Sequence, residues 1–544
     1  MHLSGRVALA FGLTLGFAQA ARAAEPPVRL VLVIAVDQLR PDRIDESLPG
    51  GFGRLVREGR FFVDAALDHG MTETCPGHAT MLTGRHPAAA GIPANDFFDP
   101  ETGTEEYCAA DPSEGAAEIG GKGGFSPSRL RVTALGDWLH AATPASRVFT
   151  VSGKDRGAIM LGGQHPDGAY WYRPDPIPRF TTSRYYRAEL PAWVESWNGA
   201  DPPRDGFLAA LPERWEHGPL ANPKTPDDYP GEATRFSRTS PHPLRDPDLA
   251  KFGDTLFFTP FLDLATLDFA KRLVEEEKLG QGPAIDLLGL SLSANDSVGH
   301  LYGPWSQEAQ DHLARVDVAL GALLDFLDAR TGGALLVALT ADHGVLPLPE
   351  WEIAQGVSKC PVEGGRASIR GVMLPVFGRL WWDLGPYTTW FPRWLQFANS
   401  QVRIDRKLLA EQDLPLEQAV AEAKAALESQ PVIARAWTEA EIATAEGPTA
   451  ELYRHSFVHG RSGDLVVQVA EGCLISEYDT GTTHGTPYLY DRRVPVLFRG
   501  PGVEAGRVPG RAATIDIAPT LAGRLGIPIP ADLDGRPLPL DGSR

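Results

Sequence analysis

Residues 28–36 read VRLVLVIAV, a nearly unbroken apolar run, rich in β-branched side chains, that stops at Asp37. Its length and branching suit a central strand covered on both faces, where apolar and polar residues need not alternate. The arrangement returns along the chain. Ile285 to Ser291 is followed by Asn295 and Asp296, Leu335 to Leu339 by Thr340-Ala341-Asp342-His343-Gly344, and Val494 to Phe498 by Gly500-Pro501-Gly502. Helical patterns lie between these runs. Ser306 can cap a helix ending near Asp328, with Glu308 in its first turn and Leu313, Val316, Leu320, Leu323, Leu324 and Leu327 on its apolar face. Leu264 to Lys278 carries a second helical pattern. The alternation predicts an α/β fold with a mostly parallel central sheet flanked by helices. Such folds bind ligands outside the carboxyl ends of their strands.

Two regions break the rhythm and read as a cap or subdomain inserted into one domain spanning 24–544. Residues 165–255 are rich in Pro, Trp, Tyr and Arg. Residues 346–475 mix helix-like runs such as Pro415 to Glu428 with strand-like runs such as Gly463 to Val469. The first 23 residues read as a signal peptide: a weakly positive start at His2 and Arg6, an uncharged apolar stretch from Val7 to Ala18, and the small-x-small pattern Ala21-Arg22-Ala23. Cleavage after Ala23 predicts export to the periplasm or the medium. No run is long enough for a membrane span. The 544 residues carry 70 acidic and 51 basic side chains, a formal charge of −19, which argues against a nucleic-acid partner. Four cysteines, Cys75, Cys108, Cys360 and Cys473, allow at most two bridges, and their pairing stays open.

The chemistry lies in where acids and histidines fall. Asp37, Asp296 with His300, and Asp342 with His343 each follow a strand run, and His484 sits in Thr482-Thr483-His484-Gly485-Thr486 just ahead of the fourth run. Singly, each is a loop carboxylate, a helix cap or a surface histidine. Together they make a donor set of carboxylates and imidazoles, the chemistry of a zinc site. Asp296 and His300 share a side if their segment turns helically. Residues 71–84 read MTETCPGHATMLTG, a small-residue turn ahead of a helical run, where free N–H groups can face an anion. Thr72, Thr74, Cys75 and Thr80 are the candidate nucleophiles there. A thiol suits an exported protein poorly, whereas a threonine hydroxyl can be activated by a metal ion. Residues 151–163 read VSGKDRGAIMLGG, and Lys154 with Arg156 offers a point charge and a fork suited to phosphoryl oxygens.

These strings resemble the alkaline phosphatase superfamily, in particular its exported, monomeric bacterial members with a threonine nucleophile (the PafA and PhoK type). The resemblance rests on AVDQLRPD around Asp37, TETCPGHATMLTG around Thr74, GIPAND with Asn95, SGKDRGAI with Lys154 and Arg156, SANDSVGH with Asp296 and His300, TADHG with Asp342 and His343, THGTP with His484, and the closing ATIDIAPTLAGRLGI. It implies two zinc ions per chain, one held by Asp296, His300 and His484, the other by Asp37, Asp342 and His343 with the Thr74 oxygen facing it. It implies that Asn95, Lys154 and Arg156 contact phosphate, and that Thr74 attacks a phosphate monoester to give a phosphothreonine. No residue pattern supports an additional calcium ion. The nearest rival is a phosphodiesterase or nucleotide pyrophosphatase on the same bimetal core, which has less use for both cations. A sulfatase needs Cys-x-Pro-x-Arg, and here Pro76 follows Cys75 directly. A cofactor-independent mutase fits export poorly, and a non-catalytic metal-binding module leaves Thr74 and the cation pair without a role.

Overall fold

The run that ends at Asp37 forms β1 (Leu30–Val36), with every residue buried. In the computed structural model, which describes residues 27–99, 104–219, 223–384 and 393–542, β1 lies inside a nine-stranded sheet. The expected signal peptide at 1–23 lies outside the described residues. The other strands are β2 (Arg60–Phe62), β3 (Val148–Ser152), β4 (Gly168–Arg173), β5 (Arg179–Thr181), β6 (Asp286–Leu292), β7 (Leu335–Thr340), β8 (Val496–Arg499) and β9 (Gly506–Val508). Their spatial order is β9-β2-β8-β7-β1-β6-β3-β4-β5. The centre is parallel: Leu30 of β1 stands opposite Asp286 of β6 and Leu335 of β7, and β3 continues the parallel array on β6. The fourth apolar run enters reversed, β8 lying antiparallel to β7.

The lack of alternation in β1 has a simple cause. Leu30, Leu32, Ile34 and Val36 pack into one core with the helix that carries Leu313 to Leu327, while Val31, Val33 and Ala35 pack into another with Met81, Leu82, Leu135, Leu139 and Leu521. Each buried aliphatic side chain of this size contributes about 1.5–3 kcal/mol relative to exposure. The helices that matter for the site are α1 (Thr74–Thr83), α2 (Asp155–Gly162), α3 (Ala294–Tyr302) and α4 (Gln307–Thr331). The α4 cap is the expected one: Ser306 Oγ accepts the Ala309 N–H at 3.1 Å. The helix runs to Thr331 and stops at Gly332, whose φ of 65° is left-handed.

The interruption at 165–255 begins inside the main sheet, since β4 and β5 form its far edge. The stretch at 346–475 contains a separate four-stranded antiparallel sheet of Leu395–Ala398, Gln401–Ile404, Leu465–Val469 and Ile433–Trp437, with Gln401–Ile404 and Leu465–Val469 at its centre. Helices Ile369–Asp383 and Leu416–Glu428 cover it and share its own apolar core. The cysteines pair as Cys75–Cys108 and Cys360–Cys473. Cys75 is therefore no free thiol.

Candidate active site

The carboxyl ends of the central strands deliver the acids and histidines to one place. Asp37 leaves β1, Asp342 and His343 leave β7, and all three are fully buried. Between them the chain turns at Gln38, whose φ of 67° is uncommon for a residue with a side chain. That turn aims the Gln38 N–H at Asp342 Oδ1 (3.0 Å) and its side-chain amide at Asp296 Oδ1 (2.6 Å). Helix α3 starts just after β6 and carries Asp296 and His300 on one side, with His300 Nε2 3.2 Å from Asp296 Oδ1. His484 arrives on the 482–486 loop, its Nε2 3.6 Å from Asp296 Oδ1 and its ring stacked on His343 at 3.5 Å.

The geometry groups these donors as Asp296, His343 and His484 on one side and Asp37, His78 and Asp342 on the other, each set within 4.8 Å. His343 also reaches toward Asp342, with Nε2 3.3 Å from Oδ2. His78 is not singled out by sequence spacing, although it stands one helical turn after Thr74. Its Nδ1 lies 3.0 Å from the Thr74 carbonyl and its Nε2 3.4 Å from Asp37 Oδ1. Each metal-type imidazole is steered by its other nitrogen: His300 Nδ1 sits 2.8 Å from Thr482 O, His343 Nδ1 3.0 Å from Gly344 O, and His484 Nδ1 2.6 Å from Thr72 O. A carbonyl can only accept, so Nδ1 carries the proton and Nε2 presents a lone pair.

Three buried atoms here, Asp37 Oδ2, Asp342 Oδ2 and His343 Nε2, have no hydrogen-bond partner among the described residues. Buried polar groups are normally satisfied, so a donor set of carboxylates and imidazoles with orphaned lone pairs fits divalent cations. The charges are unevenly shared: burial opposes protonation of His343, yet Asp342 beside it pushes it up to about 9. Burial opposes ionisation of Asp296, yet His300 and Lys154 hold its carboxyl well below the usual range. Burial, with His343 beside it, keeps His484 well below the ordinary histidine value and so neutral.

Thr74 opens α1 and is 1% exposed. Its helix packs backbone to backbone on the Asp342 segment: a Cβ on Gly77 would come within 2.2 Å of the Asp342 carbonyl oxygen. The other candidate nucleophiles are occupied. The Thr72 hydroxyl donates to Thr486 O at 3.0 Å, the Thr80 hydroxyl donates to Gly77 O at 2.8 Å, and Cys75 is bridged. Asn95 Oδ1 accepts the Cys75 N–H at 2.8 Å, which leaves its NH₂ group as donor, and the Asn95 N–H is held by Glu73 Oε2 at 2.8 Å.

The two cations differ. Lys154 caps α2 and is 6% exposed, with Nζ 2.7 Å from Asp296 Oδ2 and 3.0 Å from Asp37 Oδ2, the latter without hydrogen-bond alignment. Arg156 is half-buried and stands against Tyr107, whose hydroxyl accepts from Nη1 at 3.4 Å and donates to Asp155 Oδ1 at 2.5 Å. The Cys75–Cys108 bridge links the residue after Thr74 to the residue after Tyr107. It thus ties the Thr74 turn to the strand whose Tyr107 contacts Arg156. From the second sheet, Arg403 reaches in to the Asp96 carbonyl and to Glu105 (3.2 Å), bracing the loop that holds Asn95.

Comparison with known proteins places this geometry. The family described as type I phosphodiesterase / nucleotide pyrophosphatase matches residues 31–488. Alkaline phosphatase PhoK of Sphingomonas sp. is 34% identical over 95% of this chain and 92% of its own length. Alkaline phosphatase PafA of Elizabethkingia meningoseptica is 31% identical over 95% of this chain and 94% of its own. The crystal structure of wild-type PafA superposes with a TM-score of 0.84 at 29% identity, covering 95% of this chain and 99% of that one. With that likeness running through nearly its whole length, the chain belongs to the type I phosphodiesterase / nucleotide pyrophosphatase family, among its bacterial alkaline phosphatases.

Proposed function

We propose that the chain is a zinc-dependent phosphomonoester hydrolase that works by in-line displacement through a phosphothreonine on Thr74. The observation that carries this reading is the cation pair. Lys154 and Arg156 stand at one end of α2, where a dianionic phosphoryl group with its full set of non-bridging oxygens can use both. A diester has one such oxygen fewer and one charge fewer, and leaves donors unpaired. The likeness to PhoK and PafA supports the same reading.

Following the resemblance rather than the tightest groupings, which seat His343 with Asp296 and His484 and place His78 with Asp37 and Asp342, Asp296, His300 and His484 would hold one zinc ion and Asp37, Asp342 and His343 the other, with the Thr74 oxygen facing the second. When bound, such a pair supplies positive charge to the attacking and leaving oxygens and eases loss of the hydroxyl proton. The rest falls to the chain. Lys154, Arg156 and the Asn95 amide hold the phosphoryl oxygens and gain most as charge builds on them. Thr74 Oγ attacks phosphorus, forming Oγ–P as the ester P–O bond breaks, and the proton released from Thr74 reaches the leaving oxygen through solvent. Water then attacks phosphorus, its P–O bond forming as the Thr74 Oγ–P bond breaks; a proton from that water passes to Oγ through solvent, and inorganic phosphate leaves. Every group in this scheme comes from one chain, so a monomer suffices. The two disulfides fit an oxidising compartment, in line with export after cleavage at Ala23. Among the described residues no helix is long and apolar enough to cross a membrane.

The test is kcat/KM for a matched aryl monoester and diester, in wild type and in Lys154→Ala/Arg156→Ala. The expected result is a monoester preference of orders of magnitude that narrows in the double variant. Equal or greater wild-type activity on the diester would favour the phosphodiesterase reading instead.

A further inference from the structure

Away from the strand ends, a second group of imidazoles and carboxylates is buried where the 165–255 region meets the start of α4. A hairpin with a long connection, Arg214–Trp215 and His242–Pro243, lies beside the first turn of α4, and His217 stands at the start of the connecting segment. Glu308, at the second position of α4, is 0% exposed, and both of its carboxylate oxygens lack a hydrogen-bond partner among the described residues. His242 is 1% exposed, and its Nε2 is likewise orphaned, as is Nε2 of His217.

An acid in the first turn of a helix is ordinarily explained by the helix dipole. That explanation leaves two sealed oxygens without donors, which buried carboxylates rarely tolerate. A simple ion pair also fits poorly. His242 Nε2 lies 3.2 Å from Glu308 Oε1 and His217 Nε2 3.9 Å from the same oxygen, yet neither makes an aligned hydrogen bond. The outer nitrogens differ. His217 Nδ1 lies 3.5 Å from Asp227 Oδ1, without hydrogen-bond alignment. His242 Nδ1 lies 3.5 Å from the Tyr302 hydroxyl, which spends its own proton on Ser237 O at 3.1 Å and so has lone pairs to offer. Both rings turn Nε2 toward one carboxylate, and His242 has an acceptor behind Nδ1. This is how metal-ligating histidines are oriented.

We propose that His217, His242 and Glu308 hold a further divalent cation of the zinc class, outside the catalytic cluster. Their ligand atoms all fall within 4.8 Å of one another. Two imidazoles with one carboxylate select a borderline metal such as zinc over calcium or magnesium, which prefer all-oxygen shells. Glu232, 1% exposed, adds a buried oxygen without a partner, and its carboxyl is pushed up to about 9 by burial, with the Glu308 charge adding to it. The ion joins three pieces of chain: the segment just after the first hairpin strand (His217), the second hairpin strand (His242) and the start of α4 (Glu308). Through Tyr302, the last residue of α3, it also braces the helix that carries Asp296 and His300.

The test compares zinc content, by elemental analysis, of wild type and His217→Ala/His242→Ala, each expressed with zinc and dialysed against zinc-free buffer. The double variant should hold about one zinc ion fewer per chain. Being a difference, this result is independent of how much metal the catalytic cluster retains. If the double variant does not fold, anomalous diffraction at the zinc edge from wild-type crystals decides, with a peak expected between His217 Nε2, His242 Nε2 and Glu308. Equal zinc content in the two proteins, or no anomalous density at that point, would overturn the proposal.

Discussion

The chain carries two clusters of the same donor types whose surroundings differ. In the strand-end cluster, His300 is open, with 31% of its side chain exposed, and Thr74, Asn95, Lys154 and Arg156 border the ligands. In the hairpin cluster, His242 and Glu308 are sealed, with side chains 2% and 0% exposed, and Trp215 and Tyr302 pack on the His242 ring at 4.9 and 5.4 Å. The outward nitrogens of the strand-end imidazoles and of His242 face acceptors. The ligands thus set what is bound, and the walls set whether anything can react there. An open face beside a hydroxyl and two cations suits turnover, whereas closed apolar walls suit a staple.

Disabling each cluster in turn gives the largest contrast. Asp296→Ala should lower kcat on an aryl monoester by on the order of 10⁴-fold or more. His217→Ala/His242→Ala should keep kcat within about threefold while melting several degrees lower. Steady-state kinetics and thermal melts on both proteins check this. Equal losses of kcat would erase the distinction between the clusters.

Next in size is Thr74. Thr74→Ala should lose about 10³-fold or more in kcat, since a nucleophile knock-out leaves only binding and charge stabilisation. Thr74→Ser keeps the hydroxyl and should retain much of the rate. Acid quench of a reaction with labelled phosphate, followed by peptide mapping, should place the label on Thr74. Label on Thr72 or Thr80 would contradict the hydrogen bonds that occupy their hydroxyls.

A smaller effect is expected behind Arg156. Tyr107 is a positioning residue: its hydroxyl links Arg156 to Asp155 and touches no reacting atom. Tyr107→Phe removes a hydrogen bond to a charged group and should cost about 10- to 100-fold in kcat/KM for a monoester. The loss should fall mainly on KM and be much smaller for the diester, a split that general destabilisation would not produce.

Much of this is legible in the amino-acid sequence alone. A strand covered on both faces leaves an unbroken apolar run, and a parallel strand puts the next polar residues at its carboxyl end, so Asp37, Asp342 and His343 announce themselves. The direction of β8 does not, because an apolar run is the same read either way. β4 and β5 are hidden among aromatic and proline residues that read as an interruption. Tyr107 stands 49 residues from Arg156 and no local pattern joins them. His78 had a signal, the one-turn spacing from Thr74, but a lone helical histidine is ordinarily a core residue. The hairpin cluster draws its donors from positions 217, 242 and 308 with no motif spacing at all, and only the tertiary fold assembles it.

The finest difference between the clusters lies one shell outward. The strand-end imidazoles lean on backbone carbonyls, which substitution cannot remove, while His217 Nδ1 faces the charge of the Asp227 carboxylate at 3.5 Å without an aligned hydrogen bond. Asp227 Oδ2 also accepts the Ser240 N–H at 3.1 Å, so the carboxylate is held in place by the chain that leads into His242. Asp227→Asn keeps the shape and one acceptor oxygen but removes the charge that makes the His217 ring a better ligand. Zinc at the hairpin should therefore bind about tenfold more weakly, the low end for loss of an outer-shell partner. Kinetics on the aryl monoester should be unchanged. The measurement is zinc retained against a graded series of a competing chelator, alongside kcat for each sample. The hairpin ion should leave the variant at lower chelator concentration than wild type, with activity still intact. If zinc retention matches wild type, His217 is not oriented by Asp227. If activity falls in step with the first zinc lost, the two clusters are not the separate devices their walls suggest.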